Sequence, residues 1–468
     1  MRTKTVVLSL VLTVLAGVIS HGCSGGNKGS SNTQATLNLT GARQGQAVGF
    51  VDLDGDGIMD KVVGAPYATT ASGLTGAVLA YKGSANGFST IPTAVLTGDD
   101  NLGYSLVTIG SDFAVGAIHG DGDDASLSGS VTIYQGGGSG TVVKKLSGEW
   151  PMDKFGYSLA SGDLNGDGTS DMVVGAPFNT NDPALYQGGA VYIFFGPGYT
   201  TSVKLYASSS NSGLGWAVAT GDVNGDGIDD LVVPVTGKVL VYYGKTAFAP
   251  AINTPDFVYT SALTGFGKAV AVIENIDGTA GGEIAIANPN AVVSLNTVSS
   301  RDAGSVSIVN INGSTPVNLD TATPGPAGPL ITRLNGDTLF SRFGASIAAL
   351  GDIDGNGKPD FAVGAPMRDV DWNILAGTVY VFKGESIAAG TPWANVSAFK
   401  GQVRDHAYGT SLATAVLSGS SGTTKAILIG APRSNAGTGG AAMVDPATGQ
   451  SVAGGSSGGS AGSSGDCH

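Results

Sequence analysis

Histidine, cysteine and charged residues are scarce in this sequence. It has four histidines and two cysteines in 468 residues, and charged residues make up only 13% of the chain. The cysteines, Cys23 and Cys467, form no CxxC pair and no zinc-ligand spacing, which excludes thiolate metal sites and thioredoxin-like chemistry. No local motif indicates a Ser-His-Asp or Cys-His set. We therefore expect a protein that is not an enzyme.

Basic residues are also few. The chain has 23 Lys and Arg against 36 Asp and Glu, for a net charge of −13 at pH 7. Because nucleic-acid binding requires basic patches that displace counterions, nucleic acid is excluded as a partner. Glycine, in contrast, is abundant at 76 residues, and 42% of the chain is hydrophobic. This composition favours short buried strands joined by tight turns over disorder.

The N-terminus predicts export. Residues 1–22 begin with Arg2 and Lys4 and continue in an uncharged apolar stretch, as in a signal peptide. Cys23 comes next and resembles the acylated cysteine of a bacterial lipoprotein, so a lipid on Cys23 is the expected membrane attachment. The alternative is ordinary cleavage with a Cys23–Cys467 disulfide. In either case we expect an extracytoplasmic protein, either held in the cell envelope or secreted.

Low-complexity segments flank a repetitive body. Residues 23–34 are predicted to be a flexible linker and the Gly/Ser-rich residues 450–468 a flexible tail. Between them, residues 35–449 contain seven copies of one pattern: an opening FG, an Asp-rich loop, a GAP step and a G-x-V-x-φ-x-φ-G strand. The clearest copies run from Phe155 to Gly196 and from Phe343 to Gly384.

The repeats predict an all-β fold. Each copy has about four short strands with regular turn signals, which favours a seven-bladed β-propeller with four-stranded antiparallel blades over a β-solenoid. The strand ATLNLTG, residues 35–41, precedes the first copy, and the seventh copy lacks its own fourth strand. We therefore expect this N-terminal strand to complete the last blade and close the ring.

Four copies contain the nine-residue pattern D-x-[DN]-G-[DN]-G-x-x-D. Ca²⁺ prefers six to eight oxygen ligands, and this spacing offers side-chain oxygens at positions 1, 3, 5 and 9 and a backbone carbonyl at position 7. The glycines allow the chain to wrap around an ion. The predicted ligands are Asp52, Asp54, Asp56, Ile58 and Asp60; Asp163, Asn165, Asp167, Thr169 and Asp171; Asp222, Asn224, Asp226, Ile228 and Asp230; and Asp352, Asp354, Asn356, Lys358 and Asp360.

Other interpretations of these loops are less favourable. An EF-hand requires Glu at position 12, where these copies have valine within an apolar strand. A solvated acidic turn would leave three or four carboxylates to repel one another at about 4 kcal/mol per close pair at an effective dielectric of 20. The second and seventh copies lack the pattern. In the fifth, Glu274, Asp277 and Glu283 look displaced from it.

The combined FG, DxDGDGxxD and GAP pattern resembles the FG-GAP repeats of integrin α subunits and of similar bacterial secreted proteins and lipoproteins. The resemblance implies Ca²⁺ in the strand 1–2 loops on one face. It also implies that partners dock on the opposite face, formed by the strand 2–3 and 4–1 loops. The candidate residues there are Asp99, Asp100, Asp121, Asp123, Asp124, Trp150, Asp153, Asn179, Asn181, Asp182, Tyr186, Arg368, Asp369, Asp371, Trp372, Arg404, Asp405 and His406.

These observations predict a calcium-binding module for cell-surface adhesion or ligand binding. We expect a monomer that binds a protein or glycan on the loop face. Two alternatives remain: a glycan-active hydrolase or lyase with its active site on that face, and a purely structural surface scaffold.

Overall fold

The computed structural model describes most of the repeat body. It covers residues 37–446 apart from gaps at 71–72, 85–86, 121–126, 138–140, 181–186, 201, 249–253, 296–297, 313–314, 326–327, 420–421 and 434–438. The predicted signal peptide, Cys23, the linker and the tail lie outside the described residues. Within these residues, no helix is long and apolar enough to span a membrane.

The first three blades are four-stranded antiparallel sheets with strands in sequential order. The first blade uses β1, β2, β5 and β8; its other strands form two short hairpins. Their bounds are β1 (Val48–Val51), β2 (Asp60–Ala65), β3 (Thr69–Thr70), β4 (Gly73–Leu74), β5 (Ala77–Tyr81), β6 (Gly83–Ser84), β7 (Gly87–Phe88) and β8 (Ala94–Thr97). The second and third blades are β9 (Leu102–Ile109), β10 (Asp112–Ala117), β11 (Ser130–Tyr134), β12 (Val142–Ser147), β13 (Ser158–Gly162), β14 (Asp171–Ala176), β15 (Ala190–Phe194) and β16 (Ser202–Tyr206).

The fourth blade gains a strand from the fifth. The bounds are β17 (Ala219–Gly221), β18 (Asp230–Val235), β19 (Lys238–Tyr242), β20 (Phe257–Thr260), β21 (Ala269–Ile273), β22 (Glu283–Asn288), β23 (Val293–Leu295), β24 (Val298–Ser300), β25 (Ser305–Val309), β26 (Val317–Asn318) and β27 (Leu330–Asn335). Blade five is β21-β22-β25-β27, and β26 pairs parallel to β20 as a fifth strand of blade four. The segment containing β26 lies between the third and fourth strands of blade five and lengthens the fifth repeat.

The last two blades differ in strand number. The elements are β28 (Ser346–Gly351), β29 (Asp360–Ala365), β30 (Thr378–Phe382), α1 (Gly384–Ala388), β31 (Ser397–Lys400), β32 (Ser411–Gly419), β33 (Gly422–Gly430) and β34 (Ala441–Val444). Blade six has four strands, and blade seven has three in the described chain. The seven-bladed all-β architecture is therefore confirmed. The predicted four strands are found in five of the blades, since blade four has five strands and blade seven has three in the described chain.

Most of the described residues in the second and third strands of the blades are buried because neighbouring blades cover both faces. In β14 all six residues are buried, as the apolar run MVVGA predicts. Seven of the nine apolar clusters among the described residues are each shared by two adjacent blades, and the cluster between blades seven and one contains Phe50, Leu79, Leu428 and Met443. The core is thus a ring of inter-blade interfaces.

The GAP glycine allows backbones of adjacent blades to approach closely. A Cβ atom at this glycine would lie 2.1 to 2.2 Å from the carbonyl oxygen of the opening glycine of the next blade, a distance that no side chain tolerates. The pairs are Gly64 with Gly103, Gly116 with Gly156, Gly175 with Gly215, Gly364 with Gly409, and Gly430 with Gly45. The last pair joins blade seven to blade one, so the ring closes through the same contact.

The expected role of the N-terminal strand in closure is wrong. Ala35 and Thr36 lie outside the described residues, and Asn38 forms an antiparallel bridge with Thr69 of blade one instead of extending β34. Leu37 and Leu39 pack against the cluster between blades seven and one. The segment therefore covers the junction with its two leucines while its backbone bonds to the first blade.

Candidate functional site

The four acidic loops connect the first and second strands of blades one, three, four and six, at the same end of each blade. Position 9 is in every case the first residue of the second strand. Positions 4 to 6 are exposed, and position 1 is half-buried. The sequence therefore brings each predicted ligand set together in one short hairpin connection.

The carboxylate at position 1 organises the loop. In blade one, the Asp52 carboxylate accepts hydrogen bonds from the N–H groups of Gly55 at 2.8 Å and Gly57 at 2.9 Å. Both glycines have positive φ, 77° and 82°, which other residues adopt only at a cost. The N–H groups of positions 5 and 6 approach Asp163 in the same way, and those of positions 4, 5 and 6 approach Asp222 and Asp352.

The carboxylate at position 9 is buried and links the loop to the third strand. Asp60 accepts hydrogen bonds from the N–H groups of Leu53 at 2.9 Å and Gly83 at 2.7 Å, and Gly83 lies just after β5. The same two contacts recur at Asp171 with Leu164 and Gly196, Asp230 with Val223 and Gly244, and Asp360 with Ile353 and Gly384.

Burial disfavours ionisation of the carboxyl groups at position 9. Desolvation raises the pKa of Asp171 to about 6 and that of Asp230 to about 7, and it raises the pKa values of Asp60 and Asp360 as well. Nearby loop carboxylates add to the shift at each of the four. A cation between these groups would offset both effects.

Positions 3, 5 and 7 complete an all-oxygen donor set. In blade one the ligand atoms of Asp52, Asp54 and Asp56 lie within 4.8 Å of one another, and Asp352, Asp354 and Asp360 do so in blade six. The position 7 side chains lie beside the glycine that follows the third strand: a Cβ on Gly83 would be 3.0 Å from Ile58, and one on Gly196 2.7 Å from Thr169. Ile228 and Lys358 lie similarly beside Gly244 and Gly384. Ile58, Ile228 and Lys358 have no side-chain oxygen, so the backbone carbonyl is the shared donor at position 7, and the set fits a hard cation such as Ca²⁺.

Each loop is also bonded to the following blade through the carbonyl of position 1. The Asp52 oxygen accepts the N–H of Gly137 at 2.8 Å, and the Asp222 oxygen accepts the N–H of Gly282 at 2.8 Å. The equivalent oxygens of Asp163 and Asp352 accept the Asp229 N–H and the Lys425 ammonium. Order in a loop is therefore coupled to an inter-blade interface.

The fifth blade keeps the loop register with different side chains. Glu283 begins β22 and accepts the Ile276 N–H at 2.7 Å, so it occupies position 9, while Asp277 occupies position 3. Asn275 takes position 1 and accepts the Gly278 N–H at 2.5 Å. The interpretation of Asp277 and Glu283 as displaced is therefore wrong, and Glu274 lies outside the loop. Sequence reasoning missed the register because Asn and Glu replace Asp at the two ends.

The opposite face carries most of the exposed large apolar side chains of the described chain. Five of them, which we call the Trp372 patch, lie in loops around blade six: Leu339, Phe340, Trp372, Ile374 and Val403. Hydrogen bonds hold these loops together; for example, the Asp405 N–H donates to the Ile374 carbonyl at 2.8 Å. A double contact between Arg368 and Asp337 joins the loop before β28 to the loop after β29, with nitrogen–oxygen distances of 3.1 and 2.9 Å.

Trp372 stands out within the patch. Its relative exposure is 100%, and it forms a tight turn with Asp371 between the bridged residues Val370 and Asn373. Both turn residues have positive φ, 46° and 71°, the pattern of a type I′ turn that favours Asn and Gly. A bulky residue at such a φ is strained, and strain of this kind concentrates at binding sites.

Several residues predicted for this face are not available for contact. Asp153, Asn179 and His406 are buried. Asp153 accepts hydrogen bonds from the Trp150 N–H and the Asn179 amide, both at 2.9 Å. The predicted residues Asp121, Asp123, Asp124, Asn181, Asp182 and Tyr186 lie outside the described residues.

Comparison with known proteins agrees with this architecture. The model of the FG-GAP repeat matches residues 155–194, 214–242 and 343–382, which are parts of blades three, four and six. The chain carries FG-GAP repeats in a seven-bladed β-propeller and is similar to integrin α chains. All three FG-GAP matches include one of the acidic loops described above.

The similar proteins include two kinds. Integrin alpha-PS2 of Drosophila melanogaster is 33% identical over 187 residues, covering 34% of this chain and 12% of the relative, and integrin alpha-V of Gallus gallus is 33% identical over 186 residues, covering 38% and 16%. Phosphatidylinositol-glycan-specific phospholipase D of Bos taurus is 25% identical over 414 residues, covering 76% and 47%. The FG-GAP chain thus spans less than half the length of these curated relatives.

Proposed function

We propose that this chain is an exported, calcium-binding propeller that binds a protein partner through the Trp372 patch and is not an enzyme. Ca²⁺ in the loops of blades one, three, four and six stabilises the ring, and the opposite face presents the ligand-binding surface. The observation that carries the proposal is the fully exposed Trp372, held at a strained φ in one of the loops around blade six that expose four other large apolar side chains.

The chemistry of the patch favours a protein partner. Exposed Trp and Phe with aliphatic neighbours are typical of protein–protein contact residues. Loops fixed on a rigid scaffold are common positions for binding residues. A glycan partner is the alternative that the experiment below distinguishes.

The similarity to phospholipase D favours an enzymatic role. The histidines of the described chain, His119 and His406, lie in different blades, and burial lowers both pKa values. The His119 Nδ1 lies 2.5 Å from the side-chain oxygen of Asn101. This environment favours a structural role for His119.

Export belongs to the same proposal. Residues 1–22 act as the signal peptide, and Cys23 carries the lipid that holds the propeller at the cell envelope. Metabolic labelling with a fatty-acid analogue should label the native chain and leave a Cys23→Ser variant unlabelled. Equal labelling of the two would contradict lipidation without affecting the propeller's proposed binding role.

The binding role can be tested on arrays of extracellular proteins and of glycans, with the mature propeller as probe. We expect saturable binding to a protein that is lost in Trp372→Ala and weakened by EDTA. An Ile91→Ala variant is the matched control, since Ile91 is an exposed apolar residue outside the patch. Binding that Trp372→Ala leaves intact, or binding only to glycans, would contradict the proposal.

A further inference from the structure

The residue that follows the third strand of each blade divides the acidic loops into two kinds. In blades one and six this residue is Lys82 or Lys383, and in blades three and four it is Phe195 or Tyr243. The positions are equivalent because the next residue is in every case the glycine whose N–H donates to the carboxylate at position 9.

Both lysines reach into their loops. The Lys82 ammonium contacts the carboxylate of Asp54 and lies 3.1 Å from that of Asp56. The Lys383 ammonium lies 3.0 Å from the carboxylate of Asp354 and 3.5 Å from that of Asp360. Each ammonium therefore bonds to two of the carboxylates predicted to hold Ca²⁺.

The aromatic residues behave differently. Phe195 packs against the cluster between blades three and four and lies 5.6 Å from the ring of Phe248. Tyr243 packs against the cluster between blades four and five. Neither side chain supplies a positive charge to its loop.

Position 3 changes together with this residue. It is Asp54 or Asp354 where a lysine follows the third strand, and Asn165 or Asn224 where an aromatic residue does. The fifth blade has a third combination: Asp277 is at position 3, and Asn310 follows the third strand, β25. The Asn310 amide donates a hydrogen bond to Asp277 at 2.9 Å. The side chain after the third strand is thus matched to the charge at position 3.

From this pairing we propose that Lys82 and Lys383 are resident counter-cations that compete with Ca²⁺, so that the loops of blades one and six bind calcium more weakly than those of blades three and four. The inference rests on the calcium function proposed above. Calcium affinity in oxygen-ligand loops depends on the charge of the ligand set. Each ammonium offsets one carboxylate of its loop and occupies two of the ligands, so it must move or share them when Ca²⁺ binds.

The test is a calcium titration of the mature chain by isothermal titration calorimetry. We expect two tighter sites, in blades three and four, and two weaker sites, in blades one and six. A variant with Asp163→Asn and Asp222→Asn should keep only the two weaker sites. In that background Lys82→Met should tighten one site by about two- to fivefold, the equivalent of losing a partly exposed ion pair, and Lys383→Met should tighten the other by a similar factor.

Two controls make the result specific. Lys82→Arg keeps the charge and should leave the site weak, and Lys238→Met removes an exposed lysine from the far end of a third strand and should change neither site. Four equal sites, or a Lys82→Met variant that matches Lys238→Met, would overturn this inference alone. A chain that takes up no calcium would overturn the proposed calcium function as well.

Discussion

The Ser411 hydroxyl donates a 2.9 Å hydrogen bond to the carbonyl oxygen of Gly45, 366 residues earlier in the chain. It joins blade seven to blade one. The same bond joins consecutive blades at Ser105 and Gly156, Ser158 and Gly215, and Ser346 and Gly409. The hydrogen bond that closes the ring is therefore the same serine–glycine bond that joins these internal blades.

Ser411→Ala should lower the free energy of unfolding by about 1 kcal/mol, because it leaves a carbonyl at the closing interface with one bond fewer. Ser346→Ala is the matched internal variant and should cost a similar amount. Chemical denaturation of both variants measures the two values. If Ser411→Ala is as stable as the native chain while Ser346→Ala is destabilised, closure of the ring through this bond is contradicted.

Gly175→Ala should destabilise the propeller by about 3 kcal/mol, because its Cβ would lie 2.2 Å from the Gly215 carbonyl and force two blades apart. Gly198→Ala in the same blade has its nearest neighbour at 3.9 Å and serves as the control. Thermal unfolding should separate the two variants clearly. Equal melting temperatures would show that the blades do not approach at the GAP step.

Much of this architecture is accessible from sequence because it depends on local repetition. The all-apolar strand at Met172 to Ala176 predicts burial on both sides, and the glycine of each GAP step predicts a close backbone approach; both are confirmed. The position of residues 37–41 was not predictable, because a short apolar strand can pair with either blade at the junction. Trp372 is among the residues predicted for the loop face, but its turn conformation was not predictable, since the turn depends on φ values that propensities do not suggest for Trp.

Asp153→Asn should change the pH dependence of stability. Burial raises the pKa of Asp153 to about 6, and its Oδ1 has no hydrogen-bond partner among the described residues. Because the folded state favours the protonated acid, the native chain should lose up to about 2 kcal/mol between pH 4 and pH 6 from this group. The asparagine variant keeps an acceptor oxygen and should lose less over that range.

Urea denaturation at pH 4, 5, 6 and 7 measures this difference. The native and Asp153→Asn chains should be close in stability at pH 4, and the variant should be the more stable at pH 7. Parallel curves across the range would show that Asp153 ionises as freely in the folded state as in the unfolded one.

Trp372→Gly should separate stability from binding. Glycine adopts the positive φ of this position without strain, so the variant should be as stable as the native chain or more stable by about 1 kcal/mol. The exposed indole makes no contribution to the core. The same variant should lose binding to the array partner, and a clear loss of stability would contradict the strain assigned to this turn.

The central claim is that Ca²⁺ occupies the loops of blades one, three, four and six and thereby holds the blades together. Its most direct test is calcium binding to the mature chain by titration calorimetry, with a variant in which Asp52, Asp163, Asp222 and Asp352 are all Asn. We expect four sites in the native chain and none of those four in the variant, accompanied by a lower melting temperature that EDTA reproduces in the native chain. No saturable binding at millimolar calcium, or a melting temperature that EDTA leaves unchanged, would contradict the account.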